Sequence, residues 1–190
     1  MHRLFLSDFD GTLTVKDTMM SIIIFHRGRW WLLMTLLTLA PLIVLMMAGL
    51  YSNQKTKQRL LHRAFGSLTP HEFSDLCQRF ADTHRHLLRK ELWEHLRRQQ
   101  ADGADVYVVT ASPYDWVSRM VPEFRVIGSQ IDLTTWQFVT PNCYGQEKVS
   151  RICAAIPELT SHRDRYHITA YGDSRGDREM LAFADEAHIL

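Results

Sequence analysis

The sequence predicts an α/β fold, with a parallel sheet, helices on both its faces, and a helical segment inserted after the first strand. Short apolar runs at Leu4–Leu6, Val106–Val109 and Tyr166–Tyr171 read as buried strands. Between them, apolar residues recur at helical spacing, and strands alternating with helices wind into a parallel sheet through right-handed crossovers. Each run leads into a carboxylate or a hydroxyl beside a turn, the place where open parallel sheets bind their ligands.

Composition narrows the function. A chain of 190 residues holds one sizeable domain plus an insertion. With 22 Lys and Arg against 21 Asp and Glu, there is no concentrated basic stripe, which excludes a nucleic-acid partner. Three widely spaced cysteines without a Cys-x-x-Cys pair argue against a disulfide framework and a zinc site, and fit a reducing cytoplasm. The first strand begins almost at once, so no signal peptide is expected.

The first strand runs into Ser7-Asp8-Phe9-Asp10-Gly11-Thr12. Alternate side chains of an extended chain share a face, so Asp8 and Asp10 can reach one ligand, and Gly11 allows a tight turn beyond them. Two acids this close repel unless a cation or a shared proton intervenes. A hard, oxygen-preferring ion such as Mg²⁺ is the natural companion.

From Trp30 to Tyr51 no residue is charged, which exceeds the roughly 18 residues at which a transmembrane helix must be considered. Arg27 and Arg29 precede this run; Lys55, Lys57 and Arg59 follow it. A single crossing would put Asp8 and Asp10 on one side of the bilayer and the remaining strands on the other, so it is ruled out. Pro41 is expected to break or kink the helix into two pieces of about ten residues, each about 15 Å long. Two readings follow: a helical hairpin dipping into one leaflet, with Trp30, Trp31 and Tyr51 at the interface, or an apolar helical pair packed inside a cap.

Residues 54–100 are charge-rich and helical, with a stop at Gly66 and a new start at Thr69-Pro70-His71-Glu72, the arrangement of a capping box. The interleaved Arg and His residues form a solvated face. The second strand ends in Thr110-Ala111-Ser112. There a hydroxyl and the amides opening a helix can hold a phosphate, Ser112 serving alternatively as a helix cap. Arg125–Gly128 reads as a strand and Trp136–Thr140 as part of a hairpin. Lys148 opens an amphipathic helix through Val149, Ile152 and Ile156, against the helix dipole. After Tyr166–Tyr171, Asp173 and Asp177 either face one site or cap a helix. Ala187–Leu190 reads as a last strand.

Asp8-Phe9-Asp10-Gly11-Thr12 resembles motif one of the haloacid dehalogenase superfamily. Thr110, Lys148 within Gly-Gln-Glu-Lys-Val, and Gly172–Asp177 resemble motifs two to four in the same order. The resemblance implies a Rossmann-like catalytic core from residues 1–14 and 91–190, a helical cap at 15–90, and a Mg²⁺-dependent phosphomonoester hydrolase. In that scheme Asp8 is the nucleophile that becomes an aspartyl-phosphate, and Asp10 the general acid and base. Thr110 and Lys148 balance the phosphoryl charge, and Phe9, Gly11, Ala111 and Ser112 help hold it. Asp8, the Asp10 carbonyl and Asp173 ligate the metal, with Asp177 auxiliary. Asp17 falls where phosphoserine phosphatases of the same subgroup recognise substrate. The apolar run is similar instead to the phosphatidylglycerophosphate phosphatases, implying a lipid phosphate and a peripheral or re-entrant position at the cytoplasmic face of the membrane. A soluble phosphatase acting on a small phosphoserine-like molecule is the alternative. A membrane-associated adaptor without turnover is a third reading, against which the intact set of Asp8, Asp10, Thr110, Lys148 and Asp173 argues.

Overall fold

A computed structural model describes residues 1–190. Five parallel strands, β1 (His2–Ser7), β2 (Asp105–Pro113), β3 (Arg125–Ser129), β6 (Tyr166–Gly172) and β7 (Glu186–Ile189), lie in the order β3-β2-β1-β6-β7. A short antiparallel ribbon, β4 (Ile131–Asp132) with β5 (Gln137–Phe138), follows β3. Central β1 pairs with both neighbours, Leu6 opposite Tyr107 on one side and Ala170 on the other. Because strand side chains alternate, Phe5, Val106 and Val108 join one apolar cluster, while Leu4, Leu6, Tyr107 and Val109 join the cluster beneath α7 (Gln146–Ala155) and the helix Arg178–Phe183.

Four helices follow β1 before the chain comes back beside its end: α1 (Thr18–Arg27), α2 (Arg29–Met47), α3 (Asn53–Phe65) and α4 (Pro70–His84). The expected capping box starts α4: the Thr69 amide donates to Glu72 at 2.8 Å and the Glu72 amide to the Thr69 hydroxyl at 3.3 Å. Their apolar faces share one continuous core with the sheet. Phe73 and Phe80 of α4 join the cluster that contains Phe5, Val106 and Trp116, the last carried on α6 (Tyr114–Met120). The chain returns beside the point where it left. The Val15 amide donates to the Leu87 carbonyl at 2.9 Å and the Arg89 amide to Leu13 at 2.7 Å, just before α5 (Lys90–Ala101).

The apolar run departs from expectation. Pro41 does not divide it, since α2 is continuous across the proline, so there is no hairpin within the run. A mid-helix proline removes one hydrogen bond and costs about 3 kcal/mol. Packing on both sides of it offsets that cost: Leu32 and Leu39 are buried before Pro41, and Leu42 and Ile43 lie against the same core after it. Nor is the run enclosed in the cap. Trp30 and Met47 are each 80 % exposed, and Leu33, Met34, Leu37, Val44 and Leu45 also face outward. The helix is long and apolar enough to cross a membrane, yet lies along the cap on one face only.

Candidate active site

Asp8 follows β1, Thr110 lies in β2 and Asp173 follows β6, so three neighbouring strands deliver their chemistry to one edge of the sheet. The chain turns from β2 and β3 on one side of β1 to β6 on the other, the switch point at which such sheets open a crevice. Gly11 (φ 88°) is required there on two grounds, its left-handed backbone and a Cβ that would come 2.2 Å from the Asp173 carboxylate.

At the bottom of the crevice Lys148, 1 % exposed, donates to Asp8 Oδ1 at 2.5 Å, Asp177 Oδ1 at 2.6 Å and the Val109 carbonyl at 2.7 Å. Burial pulls the lysine pKa down, but the two carboxylates outweigh it and hold the ammonium charged. The pair shares one cation unequally. Asp177 Oδ2 also accepts from the amides of Asp173 and Ser174 and from the Ser174 hydroxyl, so despite burial its carboxyl is held low, chiefly by Lys148. Asp8 lacks that support, and burial pushes it up to about 7, against the pull of Lys148.

Asp10 turns away from this cluster. It accepts from the Thr18 amide and hydroxyl, both at 2.6 Å, and from the Ser112 hydroxyl at 2.5 Å. Burial raises its pKa, with the Asp17 carboxylate adding to the shift and the hydrogen bonds opposing it. Ser112 thus serves Asp10 rather than capping α6, which starts after Pro113 without a side-chain cap. Thr110 is buried, its Oγ1 accepting from the Ser112 amide at 3.0 Å, within a strand that continues past it to Pro113. The Phe9 ring belongs to the core, so its contribution to a ligand is limited to its main chain. The Phe9 and Asp10 amides and the Asp10 carbonyl have no hydrogen-bond partner within the chain.

Asp8, Asp173 and Asp177 each place a carboxylate oxygen within 4.8 Å of the others, and all-oxygen donors of this kind fit Mg²⁺. Asp177 is the most heavily hydrogen-bonded of the three, which suits it to the auxiliary place, and Asp8, the exposed Asp173 and the Asp10 carbonyl are the freer donors for a cation. The cavity above them, about 170 Å³, is lined by Asp8, Asp10, Asp17, Thr110, Ala111, Ser112, Lys148 and Asp177. Asp17 also caps α1, accepting from the Met20 amide at 2.9 Å.

Sequence reasoning missed several contributors. Met19 of α1, Asn53 and Lys57 of α3, and Tyr144 also line the cavity. Burial lowers the Lys57 pKa, while Asp17, Asp10 and Asp8 raise it. Its signal was legible: Lys57 shares the apolar face of α3 with Leu60, Leu61 and Ala64, an unusual place for an unused cation. Arg89, placed on the solvated face, instead donates to the Thr12 carbonyl at 3.0 Å and to Gly11 at 3.1 Å, clamping the turn after Asp10.

Residues 5–182 match the model of the haloacid dehalogenase-like hydrolases. The chain is 30 % identical to Protein CicA of Caulobacter vibrioides over 192 aligned positions, covering 94 % of this chain and 82 % of that protein. Among solved structures it resembles a protein of unknown function from Bordetella pertussis Tohama I, with a TM-score of 0.82 at 17 % identity over 98 % of this chain and 89 % of that one. A substrate-bound phosphoserine phosphatase shares the fold at TM-score 0.57 and 15 % identity, over 98 % and 85 % of the two chains.

Proposed function

Since the chain belongs to the haloacid dehalogenase-like hydrolases, we propose that it hydrolyses phosphomonoesters through an aspartyl-phosphate on Asp8 and acts on a lipid phosphate at a membrane surface. One observation carries the reaction: Asp8 and Asp10 line one cavity with different partners, Lys148 for the first and Ser112 and Thr18 for the second. Environments that separate two carboxyls in this way also separate their roles.

Asp8 attacks phosphorus while Lys148 holds its other oxygen, forming the acyl-phosphate bond as the ester P–O bond breaks. The leaving oxygen takes its proton from Asp10, whose buried carboxyl favours the protonated form. Asp10, then ionised, accepts a proton from the water that attacks the phosphorus of the intermediate, releasing phosphate and restoring Asp8. Lys148, Thr110 and the free amides of Phe9 and Asp10 face the charge on the phosphoryl oxygens. Asp8, Asp173 and the Asp10 carbonyl would hold Mg²⁺, with Asp177 auxiliary, and the ion would add charge neutralisation at the phosphoryl oxygens.

The outward apolar face of α2 supports the membrane assignment. Such a patch on a surface helix marks a lipid or protein contact, and interfacial helices bury this kind of face at the headgroup boundary. A lipid phosphomonoester such as phosphatidylglycerophosphate presents its phosphate at that depth. Phosphate release from p-nitrophenyl phosphate with Mg²⁺, lost in EDTA and in Asp8→Asn, tests the reaction. Preference for vesicular phosphatidylglycerophosphate over phosphoserine tests the substrate, and the opposite preference would sink the lipid assignment.

A further inference from the structure

A second cavity, of about 270 Å³, adjoins the catalytic one between α1, α2 and α3, and Asp17, Met19, Asn53 and Lys57 line both. Its two ends differ in chemistry. Asp17, Asn53 and Lys57 ring the end shared with the catalytic cavity, and beyond them the wall is almost wholly apolar, made by Leu36, Leu39, Ile43 and Met46 of α2 with Met20 and Leu60 opposite. We infer that this cavity receives the alkyl chain of an amphiphilic phosphomonoester whose phosphate occupies the Asp8 pocket.

The polarity gradient is that of a single amphiphile, charged at the shared end and hydrocarbon beyond. A small polar ester would leave the apolar part of the cavity unfilled, and unfilled apolar space forfeits packing contacts. Three methionines in its wall, Met19, Met20 and Met46, suit a chain of variable shape. The geometry of α2 connects the cavity to a bilayer. Leu36, Leu39, Ile43 and Met46 recur at helical spacing on its inner face, while Leu33, Leu37 and Val44 face outward. One helix thus separates the cavity from the surface assigned to the membrane, giving a chain a short route between two apolar media.

The inference rests on the phosphomonoester reading for the position of the phosphate, and the test separates the two. Linear alkylphosphonates from ethyl to decyl, which cannot be hydrolysed, are titrated calorimetrically into the full chain in Mg²⁺ buffer below their micellar concentrations. Each added methylene is expected to tighten binding about fourfold until the cavity is full. Ile43→Trp, which fills the cavity, should flatten the series; Met20→Trp provides the same readout from α1 should the first variant fail to fold. Val44→Trp, on the outer face, should leave it unchanged. A flat series in the unmodified protein, or a rising one that Ile43→Trp and Met20→Trp both preserve, overturns the inference even if p-nitrophenyl phosphate is hydrolysed. A rising series flattened by these variants upholds it even if no ester is turned over, in which case the hydrolase reading alone fails.

Discussion

Lys148 Nζ lies 2.6 Å from Asp177 Oδ1, with the lysine side chain 2 % and the aspartate side chain 1 % exposed. Removing one partner of a buried ion pair strands the other in a medium that solvates charge poorly. Lys148→Met leaves Asp8 and Asp177 together without a cation and is expected to lower stability by about 3–5 kcal/mol in urea unfolding without divalent ions. Asp177→Asn should cost less, because Asp8 still pairs with the lysine. Equal stability of Lys148→Met and the unmodified chain would show that the cluster is hydrated.

The different partners of Asp8 and Asp10 predict different lesions. Asp10→Asn should slow turnover about 10²- to 10⁴-fold, the usual contribution of a general acid or base. With p-nitrophenyl phosphate, whose leaving group needs no proton from Asp10, the variant keeps the phosphorylation step and loses the base that activates water, so phosphate should accumulate covalently on Asp8, detectable as a mass increase after acid quench. Asp8→Asn should show neither turnover nor that adduct. An adduct surviving in Asp8→Asn would place the nucleophile elsewhere.

The two faces of α2 predict opposite responses to polar substitution. Leu37→Ser, Val44→Ser and Met47→Ser combined, all on exposed positions, should release the protein from anionic lipid vesicles in a flotation assay while leaving its melting temperature nearly unchanged. Leu39, 1 % exposed, belongs to the core, and Leu39→Ala should cost about 2–5 kcal/mol. Vesicle binding that survives the triple substitution would detach this face from the membrane role.

Burial pushes the Cys77 thiol up to about 12, well above the roughly 8.5 of an unfolded cysteine. The folded chain therefore keeps a proton that the unfolded chain releases. The stability this contributes is complete below about pH 8.5 and falls as the pH rises toward 12, about tenfold in the folding equilibrium per pH unit. Cys143, raised to about 11 by burial, adds to the same trend. Denaturation between pH 8 and 10 should therefore show a shallower alkaline decline in Cys77→Ala than in the unmodified chain. Parallel declines would mean that Cys77 does not stay protonated in the fold.

The features legible in the residues are local in physical origin. Short apolar runs marked β1, β2 and β6, the Thr69 and Glu72 spacing marked the start of α4, and short motifs marked Asp8, Asp10, Thr110, Lys148 and Asp173, because a buried strand, cap geometry and a tight turn are settled within a few residues. The rest depends on how distant segments pack. Lys57 enters the catalytic cavity because α3 packs against α1 and α2 beside it, Arg89 clamps Gly11 and Thr12 because the chain returns beside its point of departure, and Asp177, beyond β6, meets Lys148 of α7. Pro41 illustrates the same limit. Its intrinsic cost is a local quantity that forecasts a break, but the burial of Leu32 and Leu39 on one side and the packing of Leu42 and Ile43 on the other come from the folded cap and keep α2 whole.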